Sequence, residues 1–366
     1  MHGWSGRAAV PVLLAGLLAA GGCGSRPVTI SRTASPAAVK ARLLRIMQRW
    51  GATQAVVEET ATGGPEPGTM VVRLDTAGGG AIRAQWTGPH GRTHLLVADD
   101  HQVVRYTAGA GHYTVEPAGS TEGDPRWLVG TGLVPFLNGA RPLSAAFAGH
   151  TVTLRCQAAL PGGPGIASLV FDPGSGRPLA WSATWTPAGS RTPETLHERV
   201  ESFSAGSGLP AGTFEFTPPA GVQPAVEAQA PDGSFVRVTQ GVVVPPAGSG
   251  LTLNTIITSG GSPPVLMLAY AGPDGRPLLV TEFAAATGPA DPAGSGATPI
   301  TIAGLPADTA TLATGQAYIG FTWHGTRVWL EGTSGEVPAL ANAWLTALNQ
   351  GSPGPAPASG TGNRPA

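Results

Sequence analysis

The densest group of potentially reactive side chains in this sequence is His90, His94 and the run Asp99-Asp100-His101. Imidazoles beside carboxylates can ligate a divalent metal or work as an acid–base pair. The local pattern favours a plainer role. Asp99-Asp100-His101-Gln102 has hairpin-turn composition between two alternating segments, and His94 falls in the phase opposite to Leu95 and Val97, which points it outward. Arg73, Arg83, Arg105 and Arg155 likewise read as outward residues of a sheet rather than as a binding patch. No Gly-x-Ser-x-Gly elbow, Cys-x-x-Cys, phosphate-binding loop or His-Glu-x-x-His is present. The sequence therefore reads as that of a non-enzyme, with no cofactor and no metal.

Of the two cysteines, Cys23 has the more telling context. Arg7 precedes an apolar run from Val10 to Ala20, and Gly21-Gly22 leads directly into Cys23. The run is shorter than the ~20 residues that span a bilayer core, and has the plan of an export signal. A cysteine directly after small residues resembles a bacterial lipobox, in which Cys23 is diacylated and becomes the N-terminus. Ala20 stands where that pattern usually has Leu, so an ordinary cleaved signal is the alternative. With Cys23 lipidated, Cys156 has no disulfide partner. It shares a strand phase with Val152 and Leu154 and reads as a small core residue.

The elements needed to position anything else must be short. The chain has 366 residues, of which 54 are Gly and 36 are Pro, about a quarter. Charged residues make up only 12%, yet 42% are hydrophobic and nine are Trp, which supports a packed core punctuated by turns. A net charge of −1 with no basic cluster argues against a nucleic-acid partner.

Ser35 as N-cap and Pro36 at the first helical position open an amphipathic helix with Val39, Leu43, Ile46 and Trp50 on one face, ended by Gly51. Alternating strands follow at 54–60, 69–75, 81–87, 93–99, 103–106 and 112–116, as in an antiparallel sheet with one buried face. A second helical stretch covers 124–137. Strands at 151–159, 166–172, 179–186 and 194–205 come next. After Phe214-Glu-Phe-Thr-Pro-Pro-Ala-Gly-Val222, further strands are expected at 235–239, 265–270, 278–283, 300–303, 317–322 and 327–331, then a helix from Pro338 carrying Leu340, Trp344 and Leu348. The division expected is 1–22 signal, 23–35 spacer, 36–224 first domain, 225–350 smaller domain and 351–366 disordered tail.

Three segments in order carry a resemblance over about residues 37–224: Val97-Ala-Asp-Asp-His-Gln-Val-Val-Arg-Tyr106, Leu169-Val-Phe-Asp-Pro-Gly-Ser-Gly-Arg-Pro-Leu179, and Phe214 to Val222. This arrangement resembles the LolA-like superfamily of lipoprotein carrier and lipoprotein-sorting proteins. Trp323-His-Gly-Thr-Arg-Val-Trp-Leu-Glu-Gly332 and the terminal helix look like the small domain of RseB-type regulators. The resemblance implies an α+β fold: a curved antiparallel half-barrel covered by helices around an apolar cavity for acyl chains, then a smaller sheet-plus-helix domain. It makes Met70, Val72, Leu74, Ile82, Ala84, Trp86, Trp181 and Trp185 candidates for the cavity wall. The partners it implies are a lipid or acylated lipoprotein, the membrane through lipidated Cys23, and an envelope protein such as an anti-sigma factor through 225–350. The location it implies is extracytoplasmic, at the outer face of the cytoplasmic membrane or in a periplasm. A lipid-anchored chain departs from a soluble shuttle and points to a fixed chaperone or sensor.

Overall fold

The computed structural model describes residues 30–63, 67–77, 80–88, 90–120, 133–160, 163–187, 191–206, 208–239, 241–245, 249–259, 264–286 and 294–351. Cys23, the signal and spacer up to residue 29, most of the second helical stretch and the tail beyond 351 lie outside those residues.

Helix α1 (Pro36–Met47) starts as its cap chemistry requires: the Ser35 hydroxyl accepts from the Ala38 N–H, and Pro36 occupies the first turn. Val39, Leu43 and Met47 form its buried stripe. The helix ends before Trp50, whose N–H bonds the Met47 carbonyl and whose ring packs on Phe203 4.9 Å away. Gly51 follows at φ 63°, a left-handed position that suits glycine.

The strands form one large mixed sheet. The first part is antiparallel and runs β7 (Arg141–Ala148), β8 (Thr151–Leu160), β9 (Gly163–Phe171), β10 (Pro178–Trp185), β11 (Glu194–Ala205), then β1 (Thr53–Thr62) and β2 (Gly68–Thr76). It continues through β3 (Ile82–Thr87), β4 (Thr93–Ala98), β5 (Gln102–Thr107) and β6 (His112–Pro117). Sequence patterning misses β7, whose burial does not alternate cleanly and whose pairing shifts register between Pro142 and Ser144. Helix α2 (Leu133–Gly139) lies just before it and packs Leu133 and Leu137 into the interior.

The sheet then changes hand of pairing. Strand β12 (Gln223–Gln229) lies parallel to β6 and antiparallel to β13 (Phe235–Val238), and touches β14 (Thr252–Thr258) in parallel at Gln229–Ile257. Antiparallel pairing resumes through β15 (Leu266–Ala271), β16 (Pro277–Ala284), β20 (Thr326–Gly332), β19 (Ala317–Trp323), β18 (Leu305–Thr311) and β17 (Thr298–Ile302). Helix α3 (Val337–Gly351) covers this part with Val337, Ala341, Trp344 and Leu345.

Two main hydrophobic clusters result, one beneath α1 and α2 and one beneath α3. The expectation of a single buried face fails at β4 and β5. Leu96, Ala98 and Val103 enter the first cluster, whereas Val104, Tyr113 and Val115 enter the second; with Val97 also buried on the face opposite Leu96, β4 and β5 are covered on both sides, and β6 turns its buried face to the second cluster. Burial holds the Tyr113 hydroxyl up to a pKa of about 12.

The second cluster contains an acid. Glu282 is 1% exposed, accepts from the Val243 N–H at 3.1 Å, and is held well above the usual carboxylate range by desolvation, which that one hydrogen bond opposes. With the folded pKa above the unfolded one, its contribution is complete below the ordinary carboxylate pKa and is lost as pH rises towards the folded value. Between pH 5 and pH 7 the stability of the wild type relative to Glu282→Gln should fall by up to about 1.4 kcal/mol per pH unit. Urea unfolding of both proteins at the two pH values measures this; parallel behaviour would contradict it.

Candidate functional site

The eight wall candidates share one face and one cluster. Met70, Val72, Leu74, Ile82, Ala84 and Trp181 are buried, while Trp86 and Trp185 are half-buried against the same cluster. Register explains why. Leu169, Trp181, Glu198, Glu59 and Met70 stand side by side across β9, β10, β11, β1 and β2. The neighbouring rows are Val57–Val72–Trp86–His94–Thr107 and Ala55–Leu74–Ala84–Leu96–Arg105. Because side chains at paired positions point the same way, these rows make a continuous floor on which α1 and α2 sit. Phe136 of α2 reaches Trp181 at a ring distance of 6.3 Å.

The floor is not purely hydrocarbon. Glu59 and Glu198 face each other directly and are each 1% exposed. Sequence reasoning passed over them, although the signal was present: Glu59 is in phase with Ala55 and Val57, and Glu198 with Leu196 and Val200. Beside Glu198, the Trp181 indole N–H is buried without a hydrogen-bond partner among the described residues, as is that of Trp185. The face thus offers acyl-compatible surface with a few polar atoms at its centre.

His94 and Arg105 also turn out to face inward. The His94 ring stacks on Trp86 at 5.2 Å and 14°, with Nδ1 3.1 Å from the Thr107 hydroxyl. Arg105 shares the phase of Val103 and donates to Glu116 at 2.7 Å. Asp99 and His101 of the histidine–aspartate group have structural roles. Asp99 Oδ1 accepts from the N–H groups of His101 and Gln102, both at 2.8 Å, closing the β4–β5 turn. His101 then docks that turn on β14 through Thr252, 3.1 Å away. Among the described residues no three His, Cys, Asp or Glu side chains gather as a metal site.

Two surface cavities border the first part of the sheet. One, about 740 Å³, touches Met70 and Trp86 together with the polar Glu58, Arg73 and Gln85. The other, about 480 Å³, lies between Gln54, Asp75, Arg83, Tyr106 and the 210–219 strap, which Arg83 ties down by donating to the Thr213 and Glu215 carbonyls at 3.2 and 3.4 Å.

Cys156 is fully buried in phase with Val152 and Leu154. Burial pushes its thiol up to about 11 against the weaker opposing charge of Lys40, leaving about one thiolate in a thousand at pH 8. In a Cys23→Ser chain, Cys156 should react with a maleimide at least 100-fold more slowly when folded than in denaturant. Equal rates would place it at the surface.

No family model and no curated protein matches the chain. Solved structures do. The crystal structure of MucB is matched over 85% of this chain and 96% of that one, at 14% identity and a TM-score of 0.29. The LolA superfamily protein NE2245 from Nitrosomonas europaea is matched over 50% and 99%, at 10% identity and a TM-score of 0.30. LprF from Mycobacterium bovis is matched over 47% of this chain and 95% of that one, at 10% identity and a TM-score of 0.29. At such scores the likeness carries no weight for function, which has to be read from the site itself. Among the described residues no helix is long and apolar enough to cross a membrane.

Proposed function

We propose that the chain is an exported lipoprotein, held at the outer face of the membrane by acylated Cys23, that binds the acyl chains of a lipid or lipoprotein on the inner face of its first domain, residues 36–224. That domain is proposed as a half-barrel and residues 225–350 as a second, smaller domain. The observation that carries the reading is the apolar floor from β9 to β4, wide and tryptophan-rich, roofed among the described residues by two short helices.

The floor residues are covered by α1 and α2 in this conformation, so the ligand is accommodated by displacing a helix rather than by filling a ready-made hole. Each methylene that replaces water with this surface contributes about 0.8 kcal/mol. Trp86, at the edge of the larger surface cavity, and Trp181, buried at the centre of the floor, would bracket the chain's path.

Phospholipid brominated along one acyl chain, added in detergent micelles, should quench the fluorescence of the wild type more than that of Trp86→Phe/Trp181→Phe. Equal fractional quenching of the two proteins would count against the site. The second reading, a regulator whose 225–350 region grips an envelope protein, draws support from a cluster with its own aromatic core of Phe321 and Trp344. Recovery of one membrane partner by the full chain, lost on changes confined to 225–350, would favour it.

A further inference from the structure

The structure gathers along the β7 edge of the sheet basic residues that the sequence keeps more than ninety positions apart. Residues 30–57 hold Arg32, Lys40, Arg42, Arg45 and Arg49, residues 133–171 hold Arg141 and Arg155, and neither stretch contains an Asp or Glu. These stretches adjoin. Lys40 of α1 donates to the carbonyls of Asn138 and Ala140 at 3.2 and 2.7 Å, and Arg32 donates to the Gly149 carbonyl in the β7–β8 turn at 3.2 Å. Arg32, Arg45, Arg49, Arg141, Arg155 and His150 are all exposed. Asp172 borders this end, close enough to His150 to feel its charge, and is occupied by the N–H groups of Gly174 and Ser175 at 2.7 and 3.1 Å. In a chain of net charge −1 this is a strong local excess of positive charge.

We infer that the α1–β7–β8 end docks on the surface of a bilayer rich in anionic phospholipid. Three observations point to a membrane. The charge is of one sign on both sides of the β7 edge, from α1 on the inner side and from Arg141 and Arg155, out of phase with buried Val152, Leu154 and Cys156, on the outer side, so a bilayer met edge-on sees only positive charge, and anionic headgroups are its complement. Leu143, on the outermost strand β7 beside Arg141, is a large apolar side chain 42% exposed, suited to dip between headgroups. Finally, the described chain begins at Ile30, which is buried in the first cluster, next to Arg32 on the β7–β8 turn. Only residues 24–29 separate it from Cys23, a reach of at most about 24 Å. An anchor at Cys23 would hold this end, and no other, against the membrane. The charge argument stands without the anchor and without acyl binding by the floor.

Co-sedimentation of the full chain carrying Cys23→Ser with vesicles of phosphatidylglycerol or of phosphatidylcholine tests this. The apolar leader is common to every protein compared and cancels. Phosphatidylglycerol should be preferred, and R32Q/R45Q/R141Q/R155Q should lower that partitioning at least tenfold, since each basic residue at an anionic surface is worth about fivefold. Salt should weaken the wild-type binding in the same direction. R92Q/R191Q/R237Q/R276Q changes net charge equally at exposed positions elsewhere and should stay within about twofold of the wild type. Equal loss in the two quadruple variants would overturn the proposal. So would indifference to headgroup, which would leave this face to an acidic protein.

Discussion

Trp181→Ala should lower the stability of the chain by about 3–5 kcal/mol, the range for truncating a large aromatic in a core. Trp181 is 2% exposed and stands in the floor between Leu169 and Glu198, with Phe136 against it from above. Truncation removes contacts to the two neighbouring strands and to α2 together, and the surrounding sheet is pinned by pairing on both sides and cannot close the gap. Trp344→Ala supplies the matching change under α3, where Trp344 is fully buried against Phe321. If residues 36–224 and 225–350 are separate domains, denaturant unfolding followed by tryptophan fluorescence should show two transitions, each variant lowering the midpoint of one. A single transition lowered equally by both would instead make the sheet one cooperative unit, bound together through the β6–β12 pairing.

Leu43→Ala should have an effect of similar size, about 2–5 kcal/mol, and a consequence that separates a roof from an ordinary core helix. Leu43 is the centre of the buried stripe of α1, which otherwise holds to the sheet through Val39 and Met47. If the helix is displaced by an acyl chain, weakening its grip shifts the population towards the open form, and lipid uptake should rise even as thermal stability falls. A helix that belongs permanently to the core would lose stability with no gain in uptake. Titration with a fluorescent fatty-acid analogue, beside a melting curve for the same sample, reads both quantities.

How much of this could be read from residues alone follows from what period-two patterning reports. It places Met70, Val72 and Leu74 on one face and Ile82, Ala84 and Trp86 on another strand's matching face, and the register bears this out. The helix start at Ser35-Pro36 is equally legible, because its cap chemistry is local. His94 was misread because Leu95 and Val97 are apolar too: on a strand buried on both sides, phase no longer says which face is the interior. Strand β7 escaped because an edge strand with a register shift has no clean alternation. Glu59 and Glu198 were legible only as exceptions, charges in an apolar phase; the acid-free basic stretch 30–57 is visible in the residues, but its meeting with Arg141 and Arg155 is not, since these parts come together only through α1, α2 and the β7–β8 hairpin.

The central claim is that the inner floor of the first part of the sheet holds acyl chains. Mass spectrometry of the organic extract from the chain purified out of its exported fraction, with Cys23→Ser to remove its own anchor, tests it most directly. The account predicts an acyl lipid at close to one per chain, reduced when Ala84→Trp fills the floor. An extract with no lipid above that of an unrelated exported protein would contradict it.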